Sequence, residues 1–281
     1  MLAQSLYDWL ANNRKDGNVI AIDGKTICGS GNQTHKAYHV VSAFVAENQI
    51  TLGELMTEKK SNEITAVPEL LEMLEVNNSI ITADAMSCQK EIVKTITGKK
   101  ADYVIALKRN QPGLLENAVL YFDSFRKELS PLVTNEKDHG RIEKREYRLL
   151  TDLSWLPGQK EWSGLKSVGE VQSTVTRNGE TTTDTRYFIS SLTDLSQFAH
   201  AVRCHWSIEN QLHWCLDVIF DEDGSRARKD MSPLNLNVLR KVALSLCKNC
   251  QNPKLRKSSL QKRRFRASLN PETFLSILLG A

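Results

Sequence analysis

The stretch NVIAID, residues 18–23, decides the fold class. Four consecutive apolar residues, three of them β-branched, end in Asp23 and are followed by the turn-forming Gly24. Such a short run is typical of a buried strand. The pattern recurs in SIITAD, residues 79–84, which ends in Asp84. Because open α/β sheets place their sites where strands end, the two stretches predict an α/β sheet with aspartates at its edge.

Strand and helix patterns alternate outward from these two stretches. Two strands joined by a turn follow the first one and predict an antiparallel start to the sheet. Around the second stretch, the order strand, helix, strand predicts parallel pairing. One helix is expected to begin at Ser61, a residue type that commonly caps helix N-termini. We expect strands at residues 38–46, 49–56 and 101–107, and helices at residues 61–74, 88–97, 113–129, 195–216 and 233–247.

The middle of the chain has a different pattern. Residues 140–150 and 164–192 alternate hydrophobic and polar side chains, with RNGE at residues 177–180 as a hairpin turn. This alternation predicts a β-rich insertion. The expected domains are an N-terminal remnant at residues 1–17, a core built from residues 18–112 and 195–250, the insertion at residues 113–194, and a basic C-terminal segment at residues 251–281.

Composition sets the class of protein. Of the 281 residues, 41% are hydrophobic and 25% charged, which excludes wholesale disorder. No stretch approaches the roughly 20 apolar residues of a membrane span, and no secretory signal precedes the first strand. We therefore expect a cytoplasmic protein with reduced cysteines and no membrane partner. Cys204, His205, His213 and Cys215 lie close together, and Cys247 and Cys250 form a CxxC pair. Because the sequence has no second CxxC to complete a zinc site, we expect core thiols instead.

Positive charge is concentrated near the C-terminus, although the net charge is only +4. Residues 254–266 hold seven basic side chains and no acid. Such a cluster suits a DNA backbone, and a solvated basic tail is the alternative. The candidates for DNA contact in this segment are Lys262, Arg263 and Arg264.

The acids carry the chemical signal. Asp23 and Asp84 could hold a hard cation such as Mg²⁺ through carboxylate oxygens. Glu209, in the helical stretch HWSIENQLHWCLD, is the candidate third acid. The alternatives are that each aspartate only shapes a turn and that the glutamate lies on a helix surface. Four nearby acids are rivals for the third position: Asp217, Asp221, Glu222 and Asp223.

Five blocks of sequence together resemble a known family. In order they are IAIDGKT, ITADAMSCQ, YVIALKRNQ, HGRIEKREY and HWSIENQLHWCLDVIFDEDGSRAR. They resemble the insertion-sequence DDE transposases, and the H-repeat-associated family most closely. The similarity runs from about residue 18 to residue 246. Each block is short, and their order and spacing make the match specific.

The resemblance implies a fold, a reaction and a site. The fold is a ribonuclease H-like core, a mixed sheet flanked by helices, with a β-rich insertion before the last catalytic helix. The reaction is metal-dependent cleavage at insertion-element ends followed by strand transfer into target DNA. Asp23, Asp84 and Glu209 are the implied catalytic acids, and they bind two Mg²⁺ or Mn²⁺ ions. The implied partner is double-stranded DNA, both terminal repeats and target, with a homodimer on DNA expected by analogy.

Further residues are candidates for DNA contact. Lys25 follows the first acid closely, and Lys108, Asn110 and Gln111 follow the strand at residues 101–107. Arg141 and Arg145 lie on one face of a predicted strand, where ion pairs on the surface are the alternative. A structure-specific nuclease and an inactive DNA-binding remnant remain alternatives for the function.

Two features depart from the family pattern. Wider relatives commonly carry Arg four residues before the glutamate and Lys seven residues after it, where this chain has His205 and Leu216. Only 22 residues precede Asp23, so we expect a copy that lacks much of the usual N-terminal segment, with end recognition or folding impaired.

Overall fold

The computed structural model describes residues 2–11, 18–33, 35–57, 63–138 and 140–279. The chain divides into two compact units. The first unit comprises Met1–Leu74 and Trp206–Ala281, and the second comprises Glu75–His205. The predicted boundaries of core and insertion stay a prediction.

Three strands follow one another after the first helix, and helices and strands then alternate from residue 63 to residue 125. The strands are β1 (Val19–Thr26), β2 (His39–Val45), β3 (Ile50–Thr57), β4 (Ile80–Ala83), β5 (Asp102–Leu107), β6 (Leu132–Asp138), β7 (Arg141–Leu150), β8 (Ser167–Arg177) and β9 (Glu180–Ser190). The helices are α1 (Leu2–Ala11), α2 (Glu63–Met73), α3 (Lys90–Gly98), α4 (Pro112–Phe125), α5 (Leu195–Ser207), α6 (Trp214–Val218), α7 (Ser232–Asn249), α8 (Pro253–Arg256), α9 (Leu260–Leu269) and α10 (Pro271–Leu279).

The first unit is built on the antiparallel strands β1, β2 and β3, which pair in that order. The buried side chains Ala21 and Phe44 extend from β1 and β2. Against them pack Ile208, Leu212 and Leu216, which are spaced four residues apart and therefore share one helix face. This packing fixes the segment that carries Glu209 against the strand that carries Asp23.

The second unit contains six strands in the order β4, β5, β9, β8, β7, β6. The β4–β5 pair is parallel and the remaining pairs are antiparallel. Asn178 and Gly179 join β8 to β9 with backbone φ angles of 54° and 84°. Positive φ at both central residues is what a tight type I′ hairpin requires, so the predicted turn is confirmed.

Most predicted elements are present, with three differences. Strand β1 continues past Asp23 to Thr26, because its last residues pair with β2 as far as His39. Strand β6 was not predicted, since LVTNEKD has little apolar alternation and is ordered by pairing with β7. The helix expected at residues 195–216 is interrupted by a π-helical turn at Ile208–His213. The predicted cap Ser61 lies outside the described residues.

The basic C-terminal segment forms the short helices α8, α9 and α10. Within the described part of the chain, no helix combines the length and the apolar character needed to cross a bilayer.

Candidate active site

Asp23 lies within β1, and its side chain is about one-quarter exposed (27%). The next residue, Gly24, is needed for packing. A Cβ atom at Gly24 would lie 2.4 Å from Glu63 Oε1 and 2.5 Å from His39 Nε2, because that buried pair crosses the strand there. The His39 ring is fixed by Glu63 at 2.6 Å and by the Thr26 hydroxyl at 2.9 Å. The glycine of the IDGK block therefore keeps the strand beside Asp23 in place.

Glu209 lies on the π-helical turn, where Ile208 and Leu212 are buried and the carboxylate points outward. Its side chain is 57% exposed. Wide turns of this kind occur often at functional sites because they re-aim one or two side chains out of helical register. The turn thus presents an acid beside a well-packed apolar face.

His213 links Glu209 to Asp23. Its Nδ1 atom lies 3.2 Å from Glu209 Oε2 and 3.6 Å from Asp23 Oδ2. The imidazole is buried, with 6% of the side chain exposed. The three residues form a cluster in which one atom of each lies within 4.8 Å of the others. We call Asp23, Glu209 and His213 the acid–histidine cluster.

The acid–histidine cluster is negatively charged. The hydrogen bond with His213 holds the pKa of Glu209 below its usual range, against the opposing effect of burial. Glu209 is therefore ionised at neutral pH. Carboxylate oxygens are the ligands that hard divalent cations prefer, and imidazole nitrogen also binds divalent metals. This cluster could hold such a cation.

Lys25 lies two residues beyond Asp23 and has different neighbours. Its Nζ atom lies 2.7 Å from Asp217, 3.2 Å from Glu222 and 3.7 Å from Asp223. Burial opposes the lysine charge, but the hydrogen bond to Asp217 and the surrounding carboxylates prevail and raise the pKa of Lys25. We call Lys25 and these three acids the lysine-centred cluster.

The lysine-centred cluster is internally neutralised to a large extent. Glu222 is fully buried and also accepts a hydrogen bond from Asn237 at 2.8 Å. Asp223 accepts the backbone N–H of Cys28 at 3.2 Å. Three of the four rivals for the third acid are thus bound to a lysine within the fold. The Lys25 ammonium is in turn paired with these carboxylates. A contact between Lys25 and DNA stays a prediction.

Asp84 lies in the second unit, directly after β4. Its Oδ1 atom accepts the backbone N–H groups of Met86 at 2.9 Å and Ser87 at 3.4 Å. The side-chain amide of Asn110 donates to the carbonyl of Ala85 at 2.6 Å, and that of Gln111 donates to the carbonyl of Cys88 at 2.9 Å. The N-Q pair therefore fastens the segment that follows Asp84.

Other candidates for DNA contact make bonds within their own units. Arg141 pairs with Glu143 at 2.7 Å, and Arg145 pairs with Glu143 at 2.8 Å and Glu136 at 3.1 Å. The alternation predicted for this strand places these arginines and Glu143 together, as expected. Lys108 is exposed at the end of β5.

The basic residues of α9 differ from one another. Lys262 is exposed. The guanidinium of Arg263 donates to the carbonyls of Cys247 at 2.8 Å, Leu255 at 3.0 Å, Ser258 at 3.1 Å and Arg256 at 2.8 Å. Arg264 donates to the carbonyl of Ile219 and lies 5.3 Å from the centre of the Phe220 ring. Arg263 is thus bound to the helix ends around it.

Sequence reasoning missed the position of His213, which it weighed only as a zinc ligand. None of the six cysteines forms a disulfide, and the two that flank His213 in sequence differ in burial, with Cys215 buried and Cys204 partly exposed. The signal that could have found His213 is the spacing E-x-x-x-H at Glu209, since residues four apart share a helix face.

Comparison with known proteins identifies the class. The model of the family described as Transposase DDE domain matches residues 14–246. The chain therefore belongs to the DDE transposase family. Its relatives include the putative transposase YncI of Escherichia coli O157:H7, 40% identical over 269 residues that cover 91% of this chain and 67% of that protein. The H repeat-associated putative transposase YhhI of Escherichia coli strain K12 is 36% identical, and the match covers 99% of this chain and 76% of that protein.

A solved structure supports the fold. A piggyBac transposase, in a synaptic complex with hairpin DNA, matches with a TM-score of 0.51 at 11% identity. The match covers 97% of this chain and 56% of that chain. The predicted fold class, a ribonuclease H-like α/β fold with a mixed sheet and flanking helices, is confirmed, as is the resemblance to the H-repeat-associated transposases.

Proposed function

We propose that this transposase cleaves DNA at the ends of an insertion element and transfers the strands into target DNA. Asp23, Asp84 and Glu209 are the proposed catalytic acids, and Mg²⁺ or Mn²⁺, two ions in all, is the proposed cofactor. Family membership supports the reaction class. The motif positions of the three acids support the assignment.

One observation carries the proposal for the third acid. Glu209 approaches the same histidine as Asp23 does, whereas Asp217, Glu222 and Asp223 surround Lys25. A carboxylate that a buried lysine neutralises is a poor cation ligand, because the cation would have to displace the ammonium. Glu209 has no ammonium to displace within ion-pair distance among the described residues.

The residues have distinct tasks in this reaction. Divalent ions, when bound, activate water and stabilise the leaving oxygen in phosphodiester cleavage. The carboxylates of Asp23 and Glu209 supply oxygen ligands from two elements that pack on each other. The backbone caps at Met86 and Ser87 fix the orientation of Asp84, so that its second oxygen is left for a ligand.

The proposed partner is double-stranded DNA, both terminal repeats and target, with a homodimer on DNA. Exposed Lys108 and Lys262 are the candidates whose ammonium groups are best placed to reach phosphates. For Asn110, Gln111, Arg141, Arg145, Arg263 and Arg264, the internal bonds favour a structural role, and a DNA contact by these side chains is a weaker proposal.

The test is a cleavage and joining assay on terminal-repeat DNA with Mg²⁺ or Mn²⁺. Asp23→Asn, Asp84→Asn and Glu209→Gln should each lower the cleavage rate by about a thousandfold, which corresponds to several kcal/mol of lost transition-state stabilisation. Asp223→Asn is the matched control and should keep its rate within about threefold. Full cleavage by any of the first three variants would remove that acid from the assignment.

The products separate the proposal from its alternatives. Nicked ends together with joined strands support transposition. Cleavage with no joined product would indicate a structure-specific nuclease. Binding of element ends without metal-dependent cleavage would indicate an inactive DNA-binding remnant.

A further inference from the structure

His213 contacts both acids of the acid–histidine cluster through Nδ1, and a single hydrogen bond accounts for only one of these two contacts. Its Nδ1 atom lies 3.2 Å from Glu209 Oε2, within hydrogen-bond range, but 3.6 Å from Asp23 Oδ2, beyond it. One nitrogen therefore faces two carboxylates while it has at most one proton to donate. Only one of the two contacts is a hydrogen bond.

These separations match those between ligands of one metal ion. Two ligand atoms that each lie about 2.1 Å from a cation, at an angle between about 90° and 109°, are about 3.0–3.4 Å apart. The contact of 3.2 Å falls inside this interval, and the contact of 3.6 Å lies just above it. With all three atoms within 4.8 Å of one another, Asp23, Glu209 and His213 lie close enough together to hold one ion between them.

The burial of His213 supports the same reading. The side chain is 6% exposed and turns its Nδ1 edge toward the two acids. Its Nε2 atom is buried and has no hydrogen-bond partner among the described residues. Because Nε2 has no partner in the described part of the chain that would favour a proton or a lone pair there, the groups that face Nδ1 decide which neutral tautomer of His213 is present. With the proton on Nδ1 the ring donates to Glu209. With the proton on Nε2, the Nδ1 lone pair faces two carboxylates, and a cation between them would make that tautomer favourable.

We infer that His213 is a protein ligand of the metal ion held by Asp23 and Glu209, through Nδ1. This inference rests on the proposed function, which identifies the site as a metal site. It adds one nitrogen ligand to the proposed metal ligands, which are otherwise all carboxylates. Because Mg²⁺ prefers oxygen and accepts a nitrogen ligand less readily than a first-row transition metal such as Mn²⁺ does, the nitrogen lowers the preference of this site for Mg²⁺ relative to Mn²⁺.

The test is electron spin-echo spectroscopy of Mn²⁺ bound to the full chain, which detects nitrogen directly bonded to the ion. The wild type should show ¹⁴N modulation that changes when the histidines are labelled with ¹⁵N. The modulation should be lost in His213→Asn and kept in His35→Asn, since His35 is exposed on the loop after β1. The isotope comparison needs no variant, so it decides the point even where His213→Asn fails to fold.

Metal binding gives a second measurement. His213→Asn should raise the Mn²⁺ dissociation constant by about tenfold or more, as loss of a ligand is at least as damaging as loss of an outer hydrogen-bond partner. The Mg²⁺ constant should change by less than about threefold, since a water replaces the nitrogen readily on Mg²⁺. His35→Asn should change neither constant.

The outcomes distinguish this inference from the proposed function. Mn²⁺ that binds in a manner dependent on Asp23 but shows no histidine nitrogen would overturn the inference and leave the proposed function standing. Failure to bind Mn²⁺ at millimolar concentration would also overturn it. Histidine coordination in a protein that never cleaves DNA would sustain the inference and overturn the proposed function.

Discussion

The acid–histidine cluster and the lysine-centred cluster begin two residues apart on β1, yet their carboxylates are balanced differently. Three acids surround Lys25 at 2.7–3.7 Å. Asp23 and Glu209 both face His213, and no lysine or arginine among the described residues lies within ion-pair distance of Glu209. We expect the first arrangement to stabilise the fold, and we propose that the second binds a cation. The acids near a strand are therefore not equally good candidates for a metal site, and those already paired with a buried lysine are the poorer candidates.

Removing the cation of the lysine-centred cluster should give the largest change in stability. Lys25→Met leaves the fully buried Glu222 without its lysine. Breaking a buried ion pair from one side lowers the free energy of unfolding by about 3 kcal/mol. Urea denaturation measures it, with exposed Lys262→Met as the control, expected within about 0.5 kcal/mol of the wild type. An unchanged midpoint for Lys25→Met would mean that this cluster does not stabilise the fold.

A smaller loss is expected next to Asp23. Gly24→Ala places a methyl group against Glu63 and His39, and overpacking of this kind lowers the free energy of unfolding by about 1–3 kcal/mol. Gly113→Ala is the matched control, because a Cβ there meets no atom within 4 Å. If both alanine variants unfold at the same temperature, the glycine is not needed for packing.

Two neighbouring basic residues on α9 differ in the same way: Arg263 is hydrogen-bonded within the fold, whereas Lys262 is exposed. Arg263→Ala removes donors from four backbone carbonyls and should lower stability by about 1–3 kcal/mol. Lys262→Ala should leave stability unchanged and flatten the salt dependence of DNA binding by about 0.9 log units per log unit of salt for the one phosphate lost. Binding isotherms at several salt concentrations test this. If Arg263→Ala changes the salt slope of DNA binding more than Lys262→Ala does, Arg263 and not Lys262 is the residue that contacts phosphate.

The smallest expected effect is the loss of charge at Glu209. Glu209→Gln keeps the shape of the side chain and removes repulsion from Asp23, and the residue is more than half exposed. Its free energy of unfolding should stay within about 0.5 kcal/mol of the wild type. Thermal denaturation without added metal measures it. A large loss of stability would show that Glu209, like Glu222, serves the fold.

Local sequence patterns predicted the strands β1 to β5 and the β8–β9 hairpin, since apolar runs and turn residues determine such elements over a few positions. They could not predict β6, whose polar sequence depends on β7 for its order. The partners of Lys25 come from about 190–200 positions further along the chain, and no local pattern encodes that proximity. The residue types and order of the family blocks indicated Asp23 and Glu209, but the π-helical turn that brings His213 to both is a consequence of tertiary packing.

The most direct test of the account is a crystal structure of the full chain grown with Mn²⁺, with the ion located by its anomalous scattering. We expect an anomalous peak within about 2.5 Å of carboxylate oxygens of both Asp23 and Glu209, with Lys25 still bonded to Asp217 and Glu222. A peak among Asp217, Glu222 and Asp223, with Lys25 displaced and the acid–histidine cluster empty, would contradict it.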